Sequence, residues 1–258
     1  MINLISFGLP FAIALQITYL AWIVYHVDVV GRGGDFTFPW FVIFQIFSNW
    51  IQFFRHPSYL KKPSSTLPSL DILYCHACNM LRPNKRTHHC VECNHCVLDR
   101  DHHCFVLGGC VGLKNQVYFI VFLFYAALGA ICTVIWLLPY MENKHFLSAE
   151  IIDFFFPIVL IKWIFSYATL LDVGVTFAMN IGATSSIAGY SFFCWEMFLC
   201  LTGMTMFEMS KCPSVFSHLF TLSFKGVIKN FKVTFGKYCF LHFLLPLNRS
   251  SRYDLKYT

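Results

Sequence analysis

The sequence predicts an α-helical polytopic membrane protein with a cysteine- and histidine-rich domain set between its spans. Three observations predict it. Of 258 residues, 57% are hydrophobic, 19% aromatic and only 12% charged, far from the balance of an ordinary soluble domain. Several uncharged runs approach the ~20 residues a helix needs to cross the hydrocarbon core. Between the second and third of these runs, Cys75 to Cys110 gathers seven of the twelve cysteines and six of the eleven histidines.

Residues 1–54 hold the first two runs, Leu4 to Val24 and Phe36 to Phe54. Met1-Ile2-Asn3 lacks a basic leader and no small-x-small site precedes Asp28, so the first run is expected to stay as a span and not to be a cleaved signal. Residues 55–116 form the cysteine-rich loop. It is entered through Lys61-Lys62-Pro63-Ser64-Ser65-Thr66-Leu67-Pro68-Ser69, whose Pro and Ser content predicts an extended tether. Residues 117–204 hold three further apolar stretches, Val117 to Leu138, Phe154 to Ala178 and Ile187 to Gly203, and residues 205–258 are the tail.

Charge sorting sets the expected orientation. Eight of the nineteen Lys and Arg residues lie between Arg55 and Gln116 and eight more from Thr205 onward, against Arg32 alone before the second run and Lys144 alone after the third. By the positive-inside rule, loop and tail are cytosolic. Three apolar stretches between two cytosolic regions break parity, so one of them does not cross. Phe154 to Ala178 is the expected exception because it carries Pro157, Lys162 and Asp172, although Glu196 burdens the last stretch as well. The fold class is then a four-span core with one additional apolar segment near 154–178. The net charge of +6 is sorted between loops instead of gathered around exposed aromatics, so no nucleic-acid partner is expected.

The loop reads Cys75-x2-Cys78-x10-His89-Cys90-x2-Cys93-x2-Cys96-x6-His103-Cys104-x5-Cys110. Paired Cys-x2-Cys units followed by His and Cys are a zinc signature, and a reducing cytosol keeps such thiols free of disulfides. Cys75, Cys78, Cys90, Cys93, Cys96, Cys110, His89 and His103 make eight ligands, enough for two closed tetrahedral sites that stabilise a module too small for an apolar core. A RING-type adaptor would need a further cysteine pair downstream, whereas the ligands end at Cys110.

His102 and Cys104 are left over beside Asp101. A cysteine outside the metal sets, next to an imidazole and a carboxylate, has the parts of an activated nucleophile, although sequence neighbours need not touch. A purely structural loop and a catalytic one both remain open at this point.

The chain resembles the Asp-His-His-Cys (DHHC) family of protein S-acyltransferases, or palmitoyltransferases. The resemblance rests on Arg82-Pro83, His89-Cys90, the tetrapeptide Asp101-His102-His103-Cys104, Cys110-Val111-Gly112, Asn115 and Phe119. Thr205-Met206-Phe207-Glu208 is similar to the family's Thr-Thr-x-Glu element, and Asn230 to Gly236 to its C-terminal motif. The resemblance implies a four-span core and a cytosolic domain with two structural zinc ions, one held by Cys75, Cys78, His89 and Cys96, the other by Cys90, Cys93, His103 and Cys110. It also implies that Cys104 accepts the acyl group of palmitoyl-CoA, with His102 as base and Asp101 as its partner. Cysteine-containing protein substrates at the cytosolic membrane face, the lipid bilayer, and an endoplasmic reticulum or Golgi location complete the expectation.

Lys85, Arg86, Arg100 and Lys114 are candidates to pair with the CoA phosphates, each set against the reading of a solvated basic face. Cys132, Cys194 and Cys200 are expected as buried small side chains, and Cys212 and Cys239 as cytosolic thiols. The chain departs from the family after the tetrapeptide, where Phe105-Val106 and Gly108-Gly109 stand in place of Pro-Trp and Asn-Asn, and after the second span, where His56-Pro57-Ser58 replaces Asp-Pro-Gly. These departures mark a divergent member and leave a membrane-anchored zinc scaffold without activity as the alternative.

Overall fold

Helix α1, Leu4–Val24, passes into a π-helical turn at Tyr25–Val30. Helix α2, Thr37–Arg55, starts where the Asp35 carboxylate accepts the Thr37 N–H at 2.9 Å, and it stops short of Pro57, which cannot continue it. The computed structural model describes residues 4–31, 33–61, 73–143, 151–211 and 223–247. The expected tether at Lys62–Ser69, Lys144 and Cys212 lie outside the described residues.

Three two-stranded antiparallel ladders follow: β1, Leu73–Cys75, with β2, Met80–Arg82; β3, His88–Cys90, with β4, His95–Val97; and β5, His103–Cys104, with β6, Gly109–Cys110. Then come α3, Gln116–Asn143, a 3-10 turn at Ile151–Phe154, α4, Phe156–Ile164, and α5, Leu170–Thr202. The tail adds α6, Met206–Met209, α7, Phe224–Phe235, and a 3-10 stretch at Gly236–Phe243.

The expected apolar segments are redrawn. Phe154 to Ala178 is not one helix: Pro157 sits in the first turn of the nine-residue α4, and the chain turns at Ser166, whose φ is +64°. Asp172 then starts α5 instead of interrupting a span. Its Oδ2 accepts from the Thr169 N–H at 2.8 Å, and its own N–H reaches Thr169 Oγ1 at 3.2 Å, a reciprocal cap. Lys162 pairs with Asp153 within the same region. The last stretch therefore begins at Leu170 and not Ile187, and α5 runs 33 residues, about 50 Å of helix. Its polar middle is accommodated because Asn180, Thr184 and Ser191 bond back to the carbonyls of Thr176, Asn180 and Ile187.

Between the cysteine-rich region and the tail the described chain thus holds two long helices and one short one. Among the described residues, three helices, around Pro10–Asp28, Gln116–Glu142 and Leu170–Thr202, are long and apolar enough to cross a membrane. Helix α2 has the length, at 19 residues, but falls outside that group, because Gln45, Ser48, Asn49 and Gln52 interrupt it. Gln45 and Asn49 are both fully buried.

The chain divides into two compact units. One takes residues 1–11, 47–122 and 194–258, and its buried residues include Phe53, Leu98, Leu107, Tyr118, Ile120, Leu199 and Phe235. The other takes residues 12–46 and 123–193, with a core of Leu20, Ile23, Val24, Val27, Leu137, Met141, Val175, Ala178 and Met179. All the candidate site residues belong to the first. Cys200 is buried and Cys132 half-buried, but Cys194 is exposed on α5, contrary to expectation.

Candidate active site

Each Cys-x2-Cys unit forms the turn of a hairpin. Asn79 ends the β1–β2 turn at φ +51° and Asn94 the β3–β4 turn at φ +53°, a left-handed conformation that Asn tolerates better than most side chains. Strand alternation then sorts the ligands. His89 and Cys90 are consecutive in β3 and so point to opposite faces. Cys96 lies directly across the ladder from His89, and the Cys75–Cys78 turn joins them. On the other face Cys90 and Cys93 meet His103 and Cys110, which are themselves a directly opposed pair in the β5–β6 ladder.

Within each set, one ligand atom from every residue lies within 4.8 Å of the others. Cys78 Sγ stands 3.1 Å from His89 Nδ1, and Cys90, Cys93 and Cys110 stand 3.7, 3.3 and 3.7 Å from His103 Nδ1. Tetrahedral zinc, with bonds of about 2.0–2.3 Å, separates its ligands by roughly 3.4–3.8 Å. Cys93 and Cys110 are 3.5 Å apart, too far for a disulfide and suited to a shared ion. The two clusters could each hold a zinc ion.

The same alternation takes Cys104 out of the metal. It follows His103 in β5, so when His103 faces the second cluster Cys104 faces away. Cys104 is 6% exposed and belongs to neither ligand set. The following turn suits its glycines: Gly108 has φ +71°, and a Cβ on Gly109 would come within 3.3 Å of the Phe53 ring. The Gly-Gly departure from the family is thus compatible with this turn, whose φ at Gly108 favours Gly or Asn.

Asp101 is buried, and its Oδ2 accepts from His102 Nδ1 at 2.7 Å. Its Oδ1 accepts from the Met206 N–H at 2.6 Å. That second bond is set by α6, where Thr205 and Glu208 cap each other reciprocally. Burial works against a charged His102, but the hydrogen bond from Asp101 outweighs it; with Cys104 and the charges of Asp101 and Glu196 adding to the effect, the imidazole is pushed up to about 10. The ring is thereby made more basic, as a proton acceptor needs to be, and it packs edge-on to Phe119, 5.4 Å between centroids.

Arg86 is engaged by protein: Nε lies 2.9 Å from Glu208 Oε1, and Nη2 donates to Glu208 Oε2 at 3.0 Å and to the Gly203 carbonyl at 3.1 Å. Arg100 donates to the His89 carbonyl and lies over the Phe207 ring. Lys85 is exposed, and Lys114 lines a recess of about 520 Å³ with Arg55, His56, Lys61 and His95. Ser58, in the segment that departs from the family, is fully buried; its hydroxyl donates to Asn115 Oδ1 at 3.1 Å and accepts the Lys114 N–H at 2.8 Å, tying the end of α2 to the β5–β6 region. In the tail, Asn230 Nδ2 donates to the Leu201 carbonyl at 3.0 Å and sits against Gly203, whose φ is +72° and where no Cβ would fit.

Sequence reasoning missed Glu196 as a site residue. It is 1% exposed, and its Oε1 lies 3.7 Å from His102 Nδ1. The one signal was a carboxylate in an otherwise apolar stretch, which by itself argues for function inside a membrane.

The family model for the DHHC palmitoyltransferase matches residues 70–213. Among relatives, palmitoyltransferase PFA3 of Candida glabrata is 38% identical over 114 residues, 44% of this chain and 32% of the relative. The probable protein S-acyltransferase 14 of Arabidopsis thaliana is 34% identical over 119 residues, 46% of this chain and 34% of its own. The probable protein S-acyltransferase 12 of the same plant is 33% identical over 164 residues, 64% of this chain and 50% of its own. The chain therefore spans a third to a half of the length of these relatives. With its ligand clusters, its tetrapeptide and its apolar helices, and with the family match over more than half its length, this chain belongs to the DHHC palmitoyltransferase family.

Proposed function

We propose that the chain is a protein S-palmitoyltransferase that moves a long acyl group from palmitoyl-CoA to cysteines of membrane-associated proteins through an acyl-enzyme at Cys104. The observation that carries the reading is the buried Cys104 outside both ligand sets, beside a His102 that Asp101 holds at 2.7 Å. In the first step the Cys104 proton passes to His102, Sγ bonds to the thioester carbonyl carbon, and CoA leaves as a thiol, taking that proton from His102. In the second a substrate cysteine thiolate attacks the acyl-Cys104 carbonyl and restores Cys104. One thioester replaces another at each step, so no other energy source is needed. Asp101 orients the imidazole, and the Met206 N–H orients Asp101.

Zinc in the two clusters would supply folding free energy to ladders of two or three residues that have almost no apolar core. For the CoA phosphates, Lys85 and Lys114 carry the proposal best because their ammonium groups are open to solvent or a recess. Arg86 and Arg100 are kept for the same role only beside the protein contacts they already make. The proposed arrangement is four spans over residues 1–54 and 117–204, with 55–116 and the tail on the cytosolic side of an endoplasmic reticulum or Golgi membrane. Charge sorting and the division of the former three stretches into two long helices and a short one support it.

The test is incubation of the full chain with an alkyne analogue of palmitoyl-CoA. A hydroxylamine-sensitive label on the protein is expected; its absence from zinc-loaded protein would favour the inactive scaffold. Impermeant thiol probes on single cysteines placed at Lys144 and Lys237 should label from the lumen and the cytosol respectively. Luminal labelling at Lys237 would overturn the arrangement.

A further inference from the structure

Glu196 lies in α5, a helix that is apolar around it, and it is 1% exposed. A carboxyl group in such a place is expensive, and an apolar side chain of the same size would make the helix more stable. Its Oε1 lies 3.7 Å from His102 Nδ1, the same nitrogen that donates to Asp101 Oδ2 at 2.7 Å. Its Oε2 is buried with no hydrogen-bond partner among the described residues, and Asp101 and Gln116 lie beside it.

Two readings of the trio compete. Asp101, His102 and Glu196 each bring one ligand atom within 4.8 Å of the others, close enough to hold a metal ion. The distances fit a metal poorly: bonds of about 2.0–2.1 Å place ligands roughly 3.3–3.4 Å apart in a tetrahedral site and roughly 2.8–3.0 Å in an octahedral one, whereas Nδ1 lies 2.7 Å from Asp101 Oδ2 and 3.7 Å from Glu196 Oε1. Asp101 also has its other oxygen on the Met206 N–H. Asp101 and His102 form a hydrogen-bonded pair, and Glu196 stands beside it.

We infer that Glu196 is a positioning residue for His102, a second carboxyl group flanking Nδ1 that keeps the imidazole turned toward Cys104. The inference rests on the acyltransferase reading above. An imidazole tied to one carboxylate can still swing about that bond. With Asp101 and Glu196 both at Nδ1 and Phe119 against the ring, the swing is blocked. Asp101 comes from the strand region of the cysteine-rich domain and Glu196 from a long helix, so the ring is held from two elements.

The experiment measures two rates on the full, zinc-loaded chain: single-turnover acylation by alkyne palmitoyl-CoA, and alkylation of Cys104 by iodoacetamide. Glu196→Leu is expected to lower both about tenfold, with KM for acyl-CoA and zinc content unchanged. Its Tm should be unchanged or higher, since the buried carboxyl is gone. In a His102→Ala background the same substitution should change either rate by less than about twofold, because Glu196 then has nothing to position. Glu196→Gln, which keeps an acceptor oxygen at the same reach, should stay within about threefold of the parent. The inference is overturned by a Leu variant as fast as the parent, by equal losses with and without His102, or by a Gln variant as slow as Leu. Zinc loss in both Glu196→Leu and Glu196→Met would overturn it in favour of a structural role. A label retained by Cys104→Ser would break the acyltransferase reading instead, and the alkylation comparison would still judge Glu196.

Discussion

The two cysteine–histidine clusters are built alike and keep different company. The first, Cys75, Cys78, His89 and Cys96, takes its ligands from two hairpins and is followed by turns. The second, Cys90, Cys93, His103 and Cys110, includes the opposed pair of the β5–β6 ladder, and the residue after its histidine is Cys104. One ladder thus offers metal-ligating side chains on one face and the thiol on the other. On the proposed mechanism, the second cluster would thus belong to the scaffold of the nucleophile, and the first would hold the domain that carries it.

Cys104→Ser gives the largest effect. It should abolish the hydroxylamine-sensitive label while both zinc equivalents remain, because Cys104 lies outside both sets. Zinc loss in this variant would erase the distinction between the thiol and the clusters. His102→Ala comes next. Removing the proton acceptor should lower the single-turnover acylation rate by ~10²- to 10⁴-fold with zinc content unchanged. A rate within twofold or so of the parent would mean that another group takes the proton.

The clusters themselves are compared by Cys110→Ala and Cys75→Ala. Each should lose about one equivalent of zinc, measured by atomic absorption, and destabilise the domain. Their activities should part: losing Cys110 frees the strand opposite His103 and Cys104, so residual acylation should be at least about tenfold lower than in Cys75→Ala. Equal residual activities would make the two clusters equivalent scaffolds.

How much of this was legible in the sequence follows the range of the interactions. The ligands and Cys104 were readable because their chemistry lies in residue types at short spacing. The interleaving of the clusters was in principle readable too, since adjacent His89 and Cys90 in a strand must face opposite ways. The continuity of α5 was not, because Asp172 reads as a charge in a span until Thr169 is seen to cap with it. Nor were the roles of Ser58 and Glu196, since each acts on residues dozens of positions away. Hydropathy reports what a side chain costs in lipid and is silent on the partner that offsets the cost.

The smallest effect separates two roles for Arg86. In sequence it stands between the Cys75–Cys78 hairpin and His89, and its guanidinium reaches Glu208 and the Gly203 carbonyl. Glu208 caps Thr205, and the helix they start offers the Met206 N–H to Asp101. Arg86 therefore links the segment between the two hairpins to the carboxylate that bonds the His102 imidazole. Both side chains are about a third exposed, 37% and 34%, so the pair is screened and contributes only about 0.2–1 kcal/mol to stability. Arg86→Ala should lower Tm by no more than about 2–4 °C. If Arg86 acts through Glu208, kcat should fall a few-fold, roughly threefold, with KM for palmitoyl-CoA unchanged, and Arg86→Lys should not restore it because an ammonium cannot make the paired contact. If it binds a CoA phosphate, KM should rise with kcat unchanged, and Lys should restore most of the loss. The geometry favours the first outcome, since Nε and Nη2 are already committed to the carboxylate at 2.9 and 3.0 Å. A rise in KM alone would return Arg86 to the acyl-CoA side and cut the link between the segment joining the two hairpins and the Asp101–His102 pair.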